Sequence, residues 1–322
     1  MPTRRAIGLA LPALIAARAA KAQAPFPDRP VRVLVGFAAG GATDGAMRAV
    51  APRWGELLGQ TVVVDNRGGA GGNIATEAVI RAPADGLTLL LGTIGPMVVN
   101  PVAGSLAFDP MADLMPVAPL VFQLGVLVVP AAKPWRSLGD LIAEAKRQPG
   151  VLNWGYSGIG TSGHLAALLM DRLAGIQTVG VAYRGGGPLM TDLVAERLDY
   201  AFSTAPPAMP QIESGRLRAL AVPATRRAAF LPDTPTVVEA GLPGFDVGNV
   251  YGILAPRGTP PAAIARLAST LREALGHAGT VAALRRQGLE PAPGGPEDYA
   301  ATLRADQARF VPLVRDAGIR VE

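Results

Sequence analysis

The segment 31–44 constrains the fold of this chain more than any other. It opens with Val-Arg-Val-Leu-Val, a short apolar run rich in β-branched residues that is typical of a buried strand. A glycine-bearing turn follows, and the apolar residues of 46–58 then recur at helical spacing. The sequence therefore predicts a strand, a tight turn and a helix. Such a turn leaves unpaired N–H groups at the helix start, where the helix dipole also favours a bound anion.

The same alternation continues through the first third of the chain. Apolar runs at 61–65 and 87–93 predict two further strands, with a helix over 74–81 between them. Alternating strands and helices are typical of parallel βαβ units, whose ligands lie at the carboxyl ends of the strands. The turn at 37–41 and Thr93 both occupy such positions.

The pattern starts again in the second half. A proline-bounded extended segment, 116–130, precedes it, and the loop 157–164 repeats the order of the first turn, with glycines, hydroxyl residues and a helix start. The segment 250–255 is predicted to cross back to the first unit. Two crossings make the first unit discontinuous and imply a hinge. We therefore expect one lobe over 25–122 and 250–322, and a second over 123–249.

Residues 1–24 are predicted to be an export signal. A basic start, an apolar run over 6–17 and small residues in A-x-A spacing form its three parts, and the run is too short to span a bilayer. Cleavage after Ala19, Ala22 or Ala24 fits the spacing, and Pro25 disfavours the last. The paired Arg4 and Arg5 leave both the Sec and the twin-arginine routes open. We expect a cleaved, periplasmic product.

Charge and cysteine content exclude several classes of protein. The formal net charge of +5 depends on the predicted signal, because without its four basic residues 26 bases face 25 acids. The charge balance therefore gives no support for a nucleic-acid partner or an anionic membrane surface. The chain has no cysteine, which excludes disulfides, thiolate metal sites and a lipid-anchored cysteine.

Motifs for catalysis or cofactor binding are weak. His164 and His277 are the only histidines, so an acid–base pair or a metal site has few candidates. Gly155-Tyr-Ser-Gly-Ile and Gly160-Thr-Ser-Gly-His each lack the final glycine of a nucleophile elbow. The glycines of 68–72 resemble a dinucleotide fingerprint, but the next strand does not end in the acid that would hold a ribose. We predict no cofactor, no metal and no enzymatic activity.

Seven segments together resemble one protein family. The first is Gly-Phe-Ala-Ala-Gly-Gly-Ala-Thr-Asp at 36–44, and the others are at 64–73, 82–90, 158–165, 183–186, 231–241 and 252–260. In this order they resemble the extracytoplasmic solute-binding proteins of tripartite tricarboxylate transporters, the Bordetella uptake gene family. The resemblance covers essentially the whole chain after the predicted signal.

The resemblance implies a fold, a function and a set of contacts. The implied fold is a type II periplasmic binding protein, α/β, with two lobes that are each a mainly parallel sheet flanked by helices. The implied function is capture of a small carboxylate between the lobes and its delivery to membrane permease subunits, by a receptor that we expect to be monomeric. The implied ligand-binding residues are Phe37, Ala38, Ala39, Gly40, Gly41, Asp44, Thr93, Ser157, Gly158, Thr161, Ser162, Ser203 and Thr204.

The chain departs from the family pattern at two places. Ala38-Ala39 stands where the family usually has two prolines, which removes rigidity but keeps the N–H geometry possible. Ser203-Thr204 follows Phe202 where the family often has an acid and an amide. Hydroxyl groups there suit a carbonyl, a hydroxyl or a second carboxylate on the ligand, whereas an acid would suit an amino group.

Several of these residues also have structural interpretations. We expect Asp44 to be the N-cap of the first helix and to orient the turn, because a carboxylate would repel a bound anion. Thr161 and Ser162 are expected to cap the helix near His164 and also to face the cleft. His164 is predicted to pack or to hydrogen-bond, and Arg184 to be either a solvated loop residue or a partner for a distal carboxylate.

Two other functions remain open at this point. A periplasmic sensor would bind the solute without supporting uptake and would capture a membrane signalling protein. A cleft enzyme would turn over the bound acid. The sequence does not name the ligand, because backbone donors recognise carboxylates in general.

Overall fold

The computed structural model describes residues 26–183 and 185–320. The predicted export signal and Arg184 lie outside the described residues. Across the described parts, no helix has the length and apolar character that a membrane span requires.

The strands follow the predicted apolar runs. In chain order they are β1 (Val31–Val35), β2 (Val62–Asn66), β3 (Thr88–Gly92), β4 (Leu114–Gln123), β5 (Gly125–Pro130), β6 (Asn153–Tyr156), β7 (Val179–Ala182), β8 (Tyr200–Thr204), β9 (Leu217–Ala221), β10 (Asn249–Pro256) and β11 (Leu289–Pro291).

The helices lie between these strands. They are α1 (Ala42–Leu58), α2 (Asn73–Ile80), α3 (Asn100–Ala103), α4 (Pro110–Asp113), α5 (Leu138–Arg147), α6 (Ser162–Ala174), α7 (Gly186–Val194), α8 (Ala205–Glu213), α9 (Pro261–Gly276), α10 (Ala278–Arg285) and α11 (Pro296–Asp316). A 3-10 turn at Ala70–Gly72 precedes α2, and a π-helical turn at Gly95–Val99 precedes α3.

Two mixed sheets form the cores of two lobes. The first has the order β11-β4-β10-β3-β1-β2, and the second has the order β7-β6-β8-β5-β9. In the first, β1 pairs in parallel with β2 and β3, whereas β10 pairs antiparallel with β3 and β4. In the second, β6 pairs in parallel with β7 and β8, whereas β5 is antiparallel to β8 and β9.

The predicted two-lobed α/β class is confirmed, and the parallel share of each sheet is smaller than expected. The strands at the two crossings explain the difference. The chain leaves the first lobe along β4, enters the second along β5 and returns along β10. Because β4 and β10 run in opposite directions side by side, the first sheet acquires antiparallel pairs, and β5 does the same in the second sheet.

Helices bury the faces of both sheets. Trp54 on α1 is fully buried, and its indole Nε1 donates to Thr270 Oγ1 on α9 at 3.0 Å, so these two helices pack on one face of the first sheet. On another side, α11 packs against β4 and also against α6 of the second lobe. Arg172 Nη1 on α6 and Asp316 Oδ2 on α11 lie 3.1 Å apart.

Helix α8 and strand β11 are among the elements that were not predicted from the sequence. Helix α8 begins Ala-Pro-Pro and contains Pro210, a composition that suggests a loop. Proline is tolerated in a first helical turn because no N–H partner is needed there, so Thr204 can precede a helix. Strand β11 has only three residues, too few for an alternating pattern, and it forms at the sheet edge by pairing with β4.

Candidate functional site

A cavity of about 800 Å³ lies between the two sheets. Its walls are formed by the carboxyl ends of β1, β3, β6, β7 and β8 and by the first turns of the helices that follow. Parallel strands bring their carboxyl ends to one edge of a sheet, so each sheet presents such an edge to the cavity. The cavity therefore lies where ligands bind in open α/β sheets.

The N-terminus of α1 forms the first-lobe side of the cavity. Gly41 is its N-cap, with extended backbone angles of φ −81° and ψ 173°, and it lines the cavity with Ala42 and Thr43. Among the described residues, the N–H groups of Ala42 and Thr43 have no acceptor. The first N–H groups of a helix point along its axis and carry partial positive charge. This side of the cavity is therefore suited to an anion.

Asp44 holds the turn that precedes α1. The prediction that it is the N-cap is wrong, because the helix starts earlier, at Ala42, with Gly41 as its cap. Asp44 stands in the first helical turn, and its Oδ2 accepts a hydrogen bond from the Gly40 N–H at 2.9 Å. Its Oδ1 accepts from Arg48 Nε at 2.8 Å. Burial raises the pKa of this carboxyl, but the hydrogen bonds from Arg48 and Gly40 outweigh burial, so the pKa is lowered overall.

The N-terminus of α6 forms the second-lobe side. Thr161 is its N-cap, as expected, but its hydroxyl donates to the carbonyl of Gly158 at 2.8 Å and does not cap the helix. Ser162 and Gly163 line the cavity, and among the described residues their N–H groups have no acceptor. A second set of free N–H donors therefore faces the first across the cavity.

His164 supports the loop in front of α6. It is 7% exposed, its ring lies 4.2 Å from the Tyr156 ring, and its Nδ1 accepts a hydrogen bond from the Gly160 N–H at 3.1 Å. These contacts match the predicted packing and hydrogen-bonding role of His164. Burial lowers the pKa of His164 from its usual 6.5 to about 4. The neutral imidazole, whose unprotonated Nδ1 accepts from the Gly160 N–H, is therefore the form that shapes this loop.

We expect this histidine to make stability fall in mildly acidic solution. Below pH 6.5 the unfolded chain binds a proton at His164 that the folded protein does not bind until about pH 4. His164 should therefore contribute a loss of about 3 kcal/mol to the free energy of unfolding as the pH falls from 6.5 to 4. Asp306, whose pKa burial raises to about 7, contributes in the opposite direction over the same range, so the share of His164 is the difference between the wild type and a His164 variant.

Urea unfolding at a series of pH values measures this loss. His164→Asn, whose Oδ1 can accept from Gly160, lacks this titration, so the stability of the wild type relative to this variant should fall by about 3 kcal/mol between pH 6.5 and 4. His277→Asn is the matched control, because His277 is the other histidine and is exposed. A His164→Asn profile parallel to that of the wild type would show that this imidazole does not cause the drop.

The floor of the cavity is formed by the two crossing strands. Gln123 at the end of β4 and Asn249 at the start of β10 are register partners, and both line the cavity. Gln123 Oε1 accepts from Ser162 Oγ at 3.1 Å, which connects the crossing strands to the start of α6. The sequence analysis missed both amides, because a single Gln or Asn in a strand forms no motif.

The remaining predicted contacts come from two strand ends. Thr93 follows β3 and is 4% exposed, and Ser203 near the end of β8 is 7% exposed. Ser203 Oγ donates to the carbonyl of Thr204, the N-cap of α8. All three residues line the cavity.

The predicted site residues divide into two groups. Those that line the cavity are Phe37, Gly41, Thr93, Ser157, Gly158, Thr161, Ser162, Ser203 and Thr204. Those that do not are Ala38, Ala39, Gly40 and Asp44. These four belong to the turn before α1 or to its first helical turn. The N–H of Gly40 is already used by Asp44.

The charges around the cavity are sparse. Among the described residues that line it there is no Asp, Glu or Lys, and the one charged side chain is that of Arg320. The described residues also contain no group of three or more His, Asp or Glu side chains that could hold a metal ion. The cavity therefore offers backbone donors, hydroxyls and amides. Such groups bind an anion by hydrogen bonds more than by opposite charge.

Comparisons with known proteins identify similar sequences and structures. The family model described as the tripartite tricarboxylate transporter family receptor matches residues 46–319. Protein BugT of Bordetella pertussis is 33% identical over 299 residues, which cover 92% of this chain and 92% of BugT.

Two solved structures extend the comparison to the fold. The R. palustris protein Rpa4515, solved with adipate, has a TM-score of 0.83 and 35% identity, covering 92% of this chain and 99% of that one. MatC (Rpa3494) of Rhodopseudomonas palustris, solved with bound malate, has a TM-score of 0.79 and 32% identity, covering 90% of this chain and 100% of that one.

Proposed function

The chain belongs to the tripartite tricarboxylate transporter receptor family, and on this premise we propose that it captures a small carboxylate between its lobes. It is a solute-binding protein of a family whose receptors are periplasmic. We further propose that it delivers the carboxylate to the membrane permease subunits of a tripartite transporter.

One observation carries this proposal. Two helix N-termini, one from each lobe, direct free N–H groups into the same cavity, and no acidic side chain of the described residues lines it. Hydrogen bonds between N–H groups and a carboxylate are charge-assisted and stronger than neutral ones. A carboxylate has two oxygens that can accept from both sets of donors.

Binding and closure follow from the same geometry. Only an arrangement with the lobes together supplies both sets of donors, so a bound carboxylate favours that arrangement. The lobes already touch at Gly160, where an added Cβ would lie 2.8 Å from Val99 of the first lobe. The Ser162 to Gln123 hydrogen bond is a second contact at the base of the cleft.

The solved relatives support the size of the proposed ligand. Adipate and malate are small dicarboxylates, and a cavity of about 800 Å³ accommodates molecules of this size. We propose a monomeric receptor, exported by a cleaved signal over residues 1–24. Its lobes would comprise 25–122 with 250–322, and 123–249.

A thermal-shift screen of the mature protein tests the proposal. The panel contains mono- and dicarboxylates, aromatic acids, amino acids and organic cations. A carboxylate at 100 times its Kd adds about 2.7 kcal/mol to the free energy of unfolding, and we expect it to raise Tm by several degrees. If only cationic compounds raise Tm, the carboxylate proposal is wrong.

Delivery to a permease needs its own test. Uptake of the best carboxylate by cells that express the permease subunits should require the receptor gene. Binding without receptor-dependent uptake would contradict delivery and would favour a sensor. Conversion of the bound acid into a product would favour an enzyme.

A further inference from the structure

The floor of the cavity contains a buried amide whose hydrogen bonding is incomplete. Asn249 begins β10, lines the cavity and is 5% exposed. Its Oδ1 has no hydrogen-bond partner among the described residues. A buried acceptor without a donor costs free energy, and most buried polar groups in native proteins have a partner.

The neighbouring groups determine which end of this amide is unpaired. Gln123 Nε2 donates to the carbonyl oxygen of Leu124 at 3.2 Å, and a carbonyl can only accept. Gln123 Oε1 therefore faces the other way, where it accepts from Ser162 Oγ and, at 3.4 Å, from Asn249 Nδ2. Because Asn249 must direct its Nδ2 to Gln123, its Oδ1 is the free atom.

The surroundings select the kind of donor that can pair with this oxygen. An ammonium group would need a carboxylate nearby to offset its lost hydration, and no Asp or Glu of the described residues lines the cavity. A hydroxyl group donates one hydrogen bond without a buried charge. A neutral hydroxyl on the ligand therefore fits the site better than an amine.

We propose that Asn249 is a specificity-determining residue that accepts a hydrogen bond from a hydroxyl group of the bound carboxylate. The inference rests on the proposed function and narrows the solute to small hydroxycarboxylates. The position suits this role because Gln123 links Asn249 to Ser162, at the helix start where the carboxylate is proposed to bind. A hydroxyl and a carboxylate on one small molecule can therefore contact neighbouring parts of the site.

Isothermal titration with matched pairs of acids tests the inference. Suitable pairs differ only by a hydroxyl group, for example succinate and malate, glutarate and 2-hydroxyglutarate, adipate and 3-hydroxyadipate, or butyrate and 3-hydroxybutyrate. For at least one pair, we expect the wild type to bind the hydroxylated acid about tenfold more tightly, because the other acid leaves the Asn249 oxygen unpaired.

Variants then assign this preference to Asn249. In Asn249→Leu, which removes the acceptor and keeps a branched side chain, the ratio of the two affinities should fall to near one. Gln211→Leu is the matched control, because Gln211 Oε1 also lacks a partner but Gln211 lies on α8 and does not line the cavity. The control should keep the wild-type ratio. Circular dichroism checks that each variant is folded.

A second variant tests the role of Asn249 even if Asn249→Leu does not fold. Asn249→Asp keeps the shape of the side chain and adds a negative charge. It should raise the affinity for aspartate relative to malate at least tenfold, because the ligand ammonium gains a charged partner. A side chain with a purely structural role would leave this ratio unchanged.

The outcomes separate this inference from the proposed function. If carboxylates bind but no pair shows a hydroxyl preference, or if Asn249→Leu keeps the preference, the inference is wrong and the proposed function stands. If the wild type prefers aspartate to malate, the donor is an amine and the inference is also wrong. If no carboxylate binds, the proposed function is wrong, and the inference fails with it.

Discussion

Gly41→Val should abolish carboxylate binding and leave a folded protein. Gly41 lines the cavity at the start of α1, and its extended backbone conformation is open to a β-branched residue. The nearest atom to an added Cβ is the carbonyl oxygen of Ala38 at 3.4 Å, so the fold tolerates the side chain. The isopropyl group would stand beside the N–H groups of Ala42 and Thr43.

The expected loss of affinity is large because the variant would lose charge-assisted hydrogen bonds to the carboxylate. Two such bonds contribute about 3 kcal/mol or more, which corresponds to at least about a hundredfold in Kd. Loss of the glycine cap should cost about 1 kcal/mol of stability. Titration calorimetry with the acid found in the screen measures the first effect, and urea unfolding measures the second.

Gly139→Val is the matched control for this experiment. Gly139 is an exposed first-turn residue of α5 and does not line the cavity, so the variant should bind as the wild type does. If Gly41→Val also bound with unchanged affinity, the start of α1 would not be part of the site.

Gly163→Ala should reduce both stability and binding, although it adds a single methyl group. Gly163 is in the first turn of α6, where the helix crosses the end of β8. A Cβ at this position would lie 2.3 Å from the carbonyl oxygen of Phe202. A backbone atom of a central strand cannot rotate away as a side chain can, so α6 and β8 must separate.

We expect Gly163→Ala to lower the free energy of unfolding by about 1–3 kcal/mol, as overpacked cores do. The same shift moves the N–H groups of Ser162 and Gly163 away from the cavity, so affinity should fall at least about tenfold. Urea unfolding and calorimetry measure the two effects.

The stability of the control for this variant should change in the opposite direction. Gly139→Ala places its Cβ no closer than 3.6 Å to any neighbour, at Ser137 Oγ. An unobstructed Gly to Ala change in a helix stabilises a protein by about 0.5–1 kcal/mol. If Gly163→Ala were also stabilising, this would contradict a close contact between α6 and β8.

Local sequence patterns predicted most of the elements but not their directions in the sheets. The apolar run and glycine turn at 31–41 are sufficient to predict β1 and a helix after the turn, because both depend on neighbouring residues, but not that α1 starts as early as Ala42. The antiparallel pairing of β4 with β10 joins residues more than a hundred positions apart. No local pattern encodes that pairing, so the expectation of mainly parallel sheets overestimated the parallel share.

The candidate site was predictable to a similar degree. Glycine and hydroxyl residues after a strand indicate a helix start that can bind an anion, and the family resemblance then implied Gly41, Thr161 and Ser162 as contacts. Asn249 and Gln123 lie in strands without a motif, and only the register of β4 and β10 brings them together. Asp44 was assigned to the wrong helical position because glycine, with no side chain, gave no sign that it was the cap.

The distance between the two lobes tests the central claim most directly. Because the chain has no cysteine, Ile74→Cys in the first lobe and Thr191→Cys in the second can carry two spin labels without background. Both residues are exposed, and neither lines the cavity. Double electron–electron resonance then gives the distribution of distances between the labels, with and without the acid identified by the thermal-shift screen. If a carboxylate bridges the two helix N-termini, a saturating concentration should make the distribution shorter and narrower. An unchanged distribution at saturation would contradict capture between the lobes.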